Sequence, residues 1–162
     1  LVALLADGTY RDAQGILQKA MGLSADMKIT LSEVERITGS PKGALVNSFI
    51  EALEQRDAAA GLLALQKAVL QNIDMKIFAK LLLAKLRFII LLRNAPALVS
   101  AIKEEVSGED FSFLKGLAAS KEARINSALL LEFLDAFNLI GYAALPHLPL
   151  ELSVIKLCGM EK

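Results

Sequence analysis

Capping residues stand ahead of apolar runs of helical period along most of this chain, and that repetition favours a helical fold. Asp57 precedes a run reaching about Gln71, and Asp74 precedes the longest run, to about Arg93. A carboxylate at such a position accepts the free N–H groups of a first helical turn. Thr30-Leu31-Ser32-Glu33 reads as a capping box opening a short helix that stops at Gly39. Ser40-Pro41 starts the next helix, with proline at the first helical position, where its missing N–H is harmless. Thr9, with Asp12 three residues later, opens a helix near the start of the chain that turns Ile16, Leu17 and Ala20 inward and ends near Gly22. No run alternates strictly enough to read as a half-buried strand.

Further along, Pro96 ends the long helix. Short helices follow over about 97–106 and 110–118, separated by Ser107-Gly108. Ser120 reads as the cap of a long helix to about Tyr142, with Ile125, Leu129, Phe133, Phe137 and Ile140 on its inner face. Pro146 and Pro149 bracket a turn before a last helix over 150–158. Leu45, Phe49 and Leu53 form an apolar stripe that Val46 and Ile50 broaden, and Ala58-Ala59-Ala60-Gly61 offers a small-residue face for close helix approach. The expected fold is all-α: a bundle of seven or eight helices, with residues 1–6 the tail of an earlier helix and 23–29 a connector.

Composition agrees with packed helices. Hydrophobic residues make up 54% and aromatics 6%, with no Trp, and 162 residues are enough for one buried core. The formal net charge of +0 removes any global electrostatic case for binding nucleic acid or an acidic membrane. A single cysteine, Cys158, excludes an internal disulfide and fits a reducing cytoplasm, and a single histidine argues against a His-based metal site. No signal-peptide pattern opens the chain. The apolar run 77–92 contains Lys80, Lys85 and Arg87, so a buried helix is expected there rather than a membrane span.

Few residues carry candidate chemistry. Arg11 falls in the first turn of its helix, where a cation opposes the macrodipole unless it serves an anion. Phosphate is a natural partner for guanidinium; the alternative is a solvated arginine paired with Asp7 or Asp12. Glu132 and Asp135 share a helix face and could do acid–base work or hold a metal, but read better as a solvated face. Lys76, Lys80 and Arg87 fall in one narrow sector with Lys85 opposite, two polar exits from a nearly surrounded helix. His147 reads as a turn residue and Cys158 as a small buried hydrophobe. The helices over 30–37 and 41–53 mimic a helix-turn-helix, but Lys42, Asn47 and Ser48 with Glu51 and Glu54 make a poor groove reader. There is no phosphate-binding Gly-rich loop with Lys and no nucleophile–base constellation, so the chain is not expected to hydrolyse ATP alone.

Three segments carry a family resemblance. Gly8-Thr9-Tyr10-Arg11-Asp12-Ala13 is similar to the sensor 2 motif that AAA+ clamp loaders write as Gly-Ser-x-Arg-Asp-Ala. Ile29-Thr30-Leu31-Ser32-Glu33-Val34 with Gly39 resembles the start of the third domain of the same proteins, and Leu148-Pro149-Leu150-Glu151-Leu152 resembles a segment near its end. In this order they resemble the C-terminal part of the gamma/tau subunit family of bacterial DNA polymerase III, the clamp-loader ATPase. The departures are Thr9 for Ser, which keeps the cap, Gly15 within the helix, and Gln18-Lys19-Ala20 where Asp-Gln-Ala is common.

The resemblance implies two parts: residues 1–26 as the end of an AAA+ lid domain, and 27–162 as a helical collar that joins subunits. It implies that Arg11 reaches ATP phosphates in the intact protein, with ATP and Mg bound upstream of this chain. The implied partners are the other clamp-loader subunits through the collar, and the sliding clamp and primed DNA through the whole complex. The implied place is cytoplasmic DNA replication, with exposed Leu or Phe on the last two helices as the expected subunit interface. The readings set against it are the helical C-terminal domain of another AAA+ ATPase and a free-standing helical adaptor or DNA-binding module.

Overall fold

A computed structural model describes residues 2, 6, 9–23, 29–30, 34, 38, 41 and 43–159. Among them are eight α-helices and no strand, so the all-α expectation holds. The helices are α1 (Tyr10–Leu23), α2 (Gly43–Gln55), α3 (Ala58–Leu70), α4 (Met75–Asn94), α5 (Val99–Glu105), α6 (Gly108–Ala118), α7 (Ser127–Ile140) and α8 (Leu148–Cys158). A 3-10 turn, Pro96–Leu98, follows α4. The preceding tail, the connector, most of the Thr30–Gly39 helix and the Ser40 cap lie outside the described residues.

The α2–α3 and α3–α4 links are built almost wholly from their own backbone. At the end of α2, Arg56 takes a left-handed φ of 54°, and the Arg56 and Asp57 N–H groups bond back to the Leu53 and Ala52 carbonyls. This is a Schellman closure. Asp57 then caps α3, its Oδ1 accepting the Ala60 N–H at 2.9 Å. The pattern repeats at the end of α3. Asn72 takes φ 54°, the Asn72 and Ile73 N–H groups bond to the Val69 and Ala68 carbonyls, and Asp74 Oδ1 accepts the N–H groups of Lys76 and Ile77. Both aspartate caps stand where the sequence places them.

α4 is the central helix, packed against α2, α6 and α7, while α8 closes over α2, α3 and α7. The core is centred on Phe49 of α2, whose ring meets Phe78 of α4 edge-on at 5.5 Å and Phe133 of α7 at 5.7 Å. Edge-to-face pairs of this kind add about 1 kcal/mol each beyond the area they bury. Ile50, Leu53, Leu65, Leu82, Leu86, Ile89, Leu114, Ile125 and Leu150 are the other large side chains buried completely. Gly61 is where α3 meets α8: a β-carbon there would lie 3.1 Å from Val154 Cγ1. Of the small-residue run 58–61, Gly61 makes the close approach expected of it, while Ala59 is exposed.

Three expectations are corrected. Ser120 does not cap a long helix. Residues 120–126 form an irregular link with Ala123 at φ 47°, and α7 begins at Ser127, capped by the Asn126 side chain on the Leu129 N–H at 3.1 Å. The cause is tertiary. Ile125 is drawn into the core as a loop residue, and the Arg93 guanidinium donates to the carbonyls of Leu117, Ala118 and Ile125 at 3.1, 3.2 and 2.5 Å. Glu54 Oε2 accepts the Ile125 N–H at 3.1 Å, and the Glu54 carbonyl accepts from Arg124. A continuous helix through 120–126 would forfeit these bonds. Second, Leu17 is 40% exposed while Ala20 is buried. Ile16 and Ala20 lie within about 40° on the helix and Leu17 falls outside that line. Third, Lys85 is no polar exit but a buried tie.

Candidate functional site

Arg11 stands on the first turn of α1, and its side chain is exposed. Thr9 positions it. The Asp12 N–H bonds to Thr9 Oγ1 at 3.2 Å, and that hydroxyl donates to Asp12 Oδ2 at 2.6 Å. Asp12 is thereby engaged with the cap that starts the helix, and Arg11 belongs to the first turn, at the positive end of α1 where backbone N–H groups lack helical partners. An exposed cation beside such donors is chemically suited to a phosphate oxygen.

Two of the other polar candidates, Lys85 and Glu132, tie helices together. Lys85, 8% exposed, donates to Asn47 Oδ1 at 2.7 Å and Asp110 Oδ1 at 2.6 Å, and the Asn47 amide also donates to Asp110 at 3.3 Å. This triad joins α2, α4 and α6. It turns Asn47 inward, away from any groove-reading role. Lys42 lies outside the described residues. Glu132 and Asp135 do not form a carboxylate pair: Glu132 accepts from Ser153 at 3.3 Å and Lys156 at 2.6 Å, tying α7 to α8, while Asp135 is exposed. Lys76 and Arg87 are exposed on α4 and Lys80 is half-buried. Cys158 is half-buried at the end of α8, and burial pushes its thiol up against the opposing pull of the Arg56 charge. Its packing role stands. Among the described residues no His, Cys, Asp and Glu cluster could hold a metal ion.

A larger feature lies on the outer side of α7 and α8. Leu131, Leu139, Tyr142, Leu145, Leu148, Leu152 and Ile155 are all exposed, Tyr142 at 90%. At about 100° per residue, Leu131 and Leu139 lie on the flank of α7 beyond Glu132, and Tyr142 follows the helix in the turn towards α8. The same periodicity puts Leu148, Leu152 and Ile155 on the flank of α8 beyond Lys156. The Glu132–Lys156 bridge marks the seam between the two helices, so these flanks are arranged around one seam, and Leu145 belongs to the turn joining them. Scattered exposed leucines are ordinary; what sets these apart is that seven exposed apolar residues fall on two adjacent helices and the turn between them. The sequence singled out the last two helices for such residues but not which ones, because their inner and outer positions are equally apolar.

No protein-family model matches the chain, and no curated protein is significantly similar to it. No helix among the described residues is long and apolar enough to cross a membrane.

Proposed function

We propose that this chain is the end of an AAA+ lid followed by the oligomerisation collar of a bacterial clamp-loader subunit of the gamma/tau type. The observation that carries the reading is the exposed leucine face along the α7–α8 seam, on the two helices where the motif resemblance expects a subunit interface. The Thr9-capped turn adds to it by presenting Arg11 as a sensor for nucleotide phosphate. In the intact subunit Arg11 would touch the phosphates of ATP held with Mg on the upstream domain, which would couple nucleotide binding to the angle between domains. The bundle's part is mechanical. It holds neighbouring subunits at one end while their ATPase domains move, so that the assembly can open a sliding clamp and place it on primed DNA. A neutral bundle held by fixed polar ties suits such a part.

The test is sedimentation velocity of the chain with the other clamp-loader subunits of the same organism, repeated with Leu139→Lys/Leu152→Lys. The reading expects a heavier co-sedimenting species that the double variant abolishes while keeping its helical circular dichroism. A folded monomer at about 50 µM, well above the Kd of an ordinary stable interface, overturns it. Salt-dependent DNA binding by such a monomer would point to the adaptor reading.

A further inference from the structure

A cavity of about 440 Å³ opens between the α3–α4 turn, the end of α7 and the start of α8. It is independent of the leucine face and of the collar reading. Val69, Ile73, Met75 and Ile140 give it an apolar lining, and Met75 and Ile140 are themselves buried. Asn72, Asp74, Lys76, Pro146 and His147 complete its wall. Its volume lies in the lower part of the range of small-molecule sites, about 300–1,000 Å³.

The polar groups on this wall are not equivalent. Asp74 is committed through Oδ1 to the N–H groups of Lys76 and Ile77. By contrast, the Lys76 ammonium and the His147 ring make no hydrogen bond with any described residue. Lys76 lies across the end of α7, its Nζ 3.2 Å from where a β-carbon on Gly141 would stand. His147 holds the start of α8 through its carbonyl alone, which accepts the N–H groups of Leu150 and Glu151 and leaves the imidazole unused. Two nitrogen donors therefore line an apolar hollow without a hydrogen-bond acceptor among the described residues. A carboxylate is the group that would engage such donors with charge-assisted bonds, and the apolar lining asks for a hydrocarbon body behind it.

We propose that this cavity binds a small monocarboxylate with an apolar body, with Lys76 and His147 on the carboxylate and Val69, Ile73, Met75 and Ile140 around the hydrocarbon. The test uses the whole chain, labelled with ¹⁵N, titrated with 3-phenylpropionate and in parallel with its neutral amide. The expected result is saturable shifts of the amides of Ile73, Met75, Lys76, Ile140 and His147. The neutral amide should bind about tenfold more weakly, as should the acid to Lys76→Gln, since each comparison removes one charge-assisted partner. Lys76 is exposed, so that variant should keep the wild-type spectrum without ligand. The proposal is overturned by shifts that do not saturate by about 20 mM, an affinity too weak for a formed site. Saturation at residues elsewhere, equal binding of acid and amide, or undiminished binding to Lys76→Gln overturns it as well.

Discussion

The links on either side of α3 and the link between α6 and α7 do the same job by different means. At Arg56-Asp57 and at 71–74 the chain closes one helix and opens the next with its own backbone and one aspartate. Between α6 and α7 the chain is fastened instead by side chains distant in sequence, Arg93 from α4 and Glu54 from α2. Local links keep their shape wherever the two helices go. The α6–α7 link keeps its shape only while the bundle is assembled, so it should respond most to damage at a distance. The Lys85 triad extends that contrast, since Lys85 holds the first turn of α6 from the middle of α4.

If this contrast is right, the largest losses come from single residues far along the chain from what they hold. Lys85→Met should cost about 3 kcal/mol in urea unfolding, because it strands the partly buried Asp110 carboxylate; the exposure of Asp110 keeps the figure at the low end for a broken buried pair. A loss below about 1 kcal/mol would place the triad among ordinary surface pairs. Arg93→Met should cost about 2 kcal/mol through the loss of three hydrogen bonds to carbonyls, of which Leu117 keeps the Ser120 N–H, and circular dichroism should show the helices intact. Smaller effects belong to the local links. Asp57→Ala and Asp74→Ala should each cost about 1 kcal/mol, the worth of one helix cap, and the two should be additive in the double variant. Smallest is a gain: Arg56→Gly should stabilise by about 0.5 kcal/mol, by relieving a β-carbon held in the left-handed region. A loss of stability there would mean the Arg56 side chain holds something beyond its own turn.

The same contrast explains what the sequence disclosed. Asp57 and Asp74 were legible because a cap's partners lie within three residues of it. The inner faces of α2 and α7 were legible through their period, with Phe49 and Phe133 both read as inward. Ser120-Lys121-Glu122-Ala123 reads as a good helix start in isolation, and only the distant Arg93 and Glu54 overrule it. Asn126, three residues ahead of Leu129, was the available signal for the true cap. Lys85 looked like a solvent exit because its acceptor, Asp110, arrives with a later helix. Of the candidate site, Arg11's place on a capped first turn was readable from Thr9 and Asp12. The cavity was not readable, since it draws on three separated stretches of chain. The outer leucines of α7 and α8 were legible as a class, but choosing among them required the seam that Glu132 and Lys156 define.

The most direct measurement is native-state amide exchange at Ile125, whose N–H is held by Glu54, compared with Ala60 and Ile77, whose N–H groups are held by Asp57 and Asp74. In the unaltered protein Ile125 should be protected. In Arg93→Met, under conditions where the bundle stays folded, its protection should fall at least tenfold while Ala60 and Ile77 keep theirs. Equal loss at all of them, or none at Ile125, would contradict the account that this link is held from outside itself.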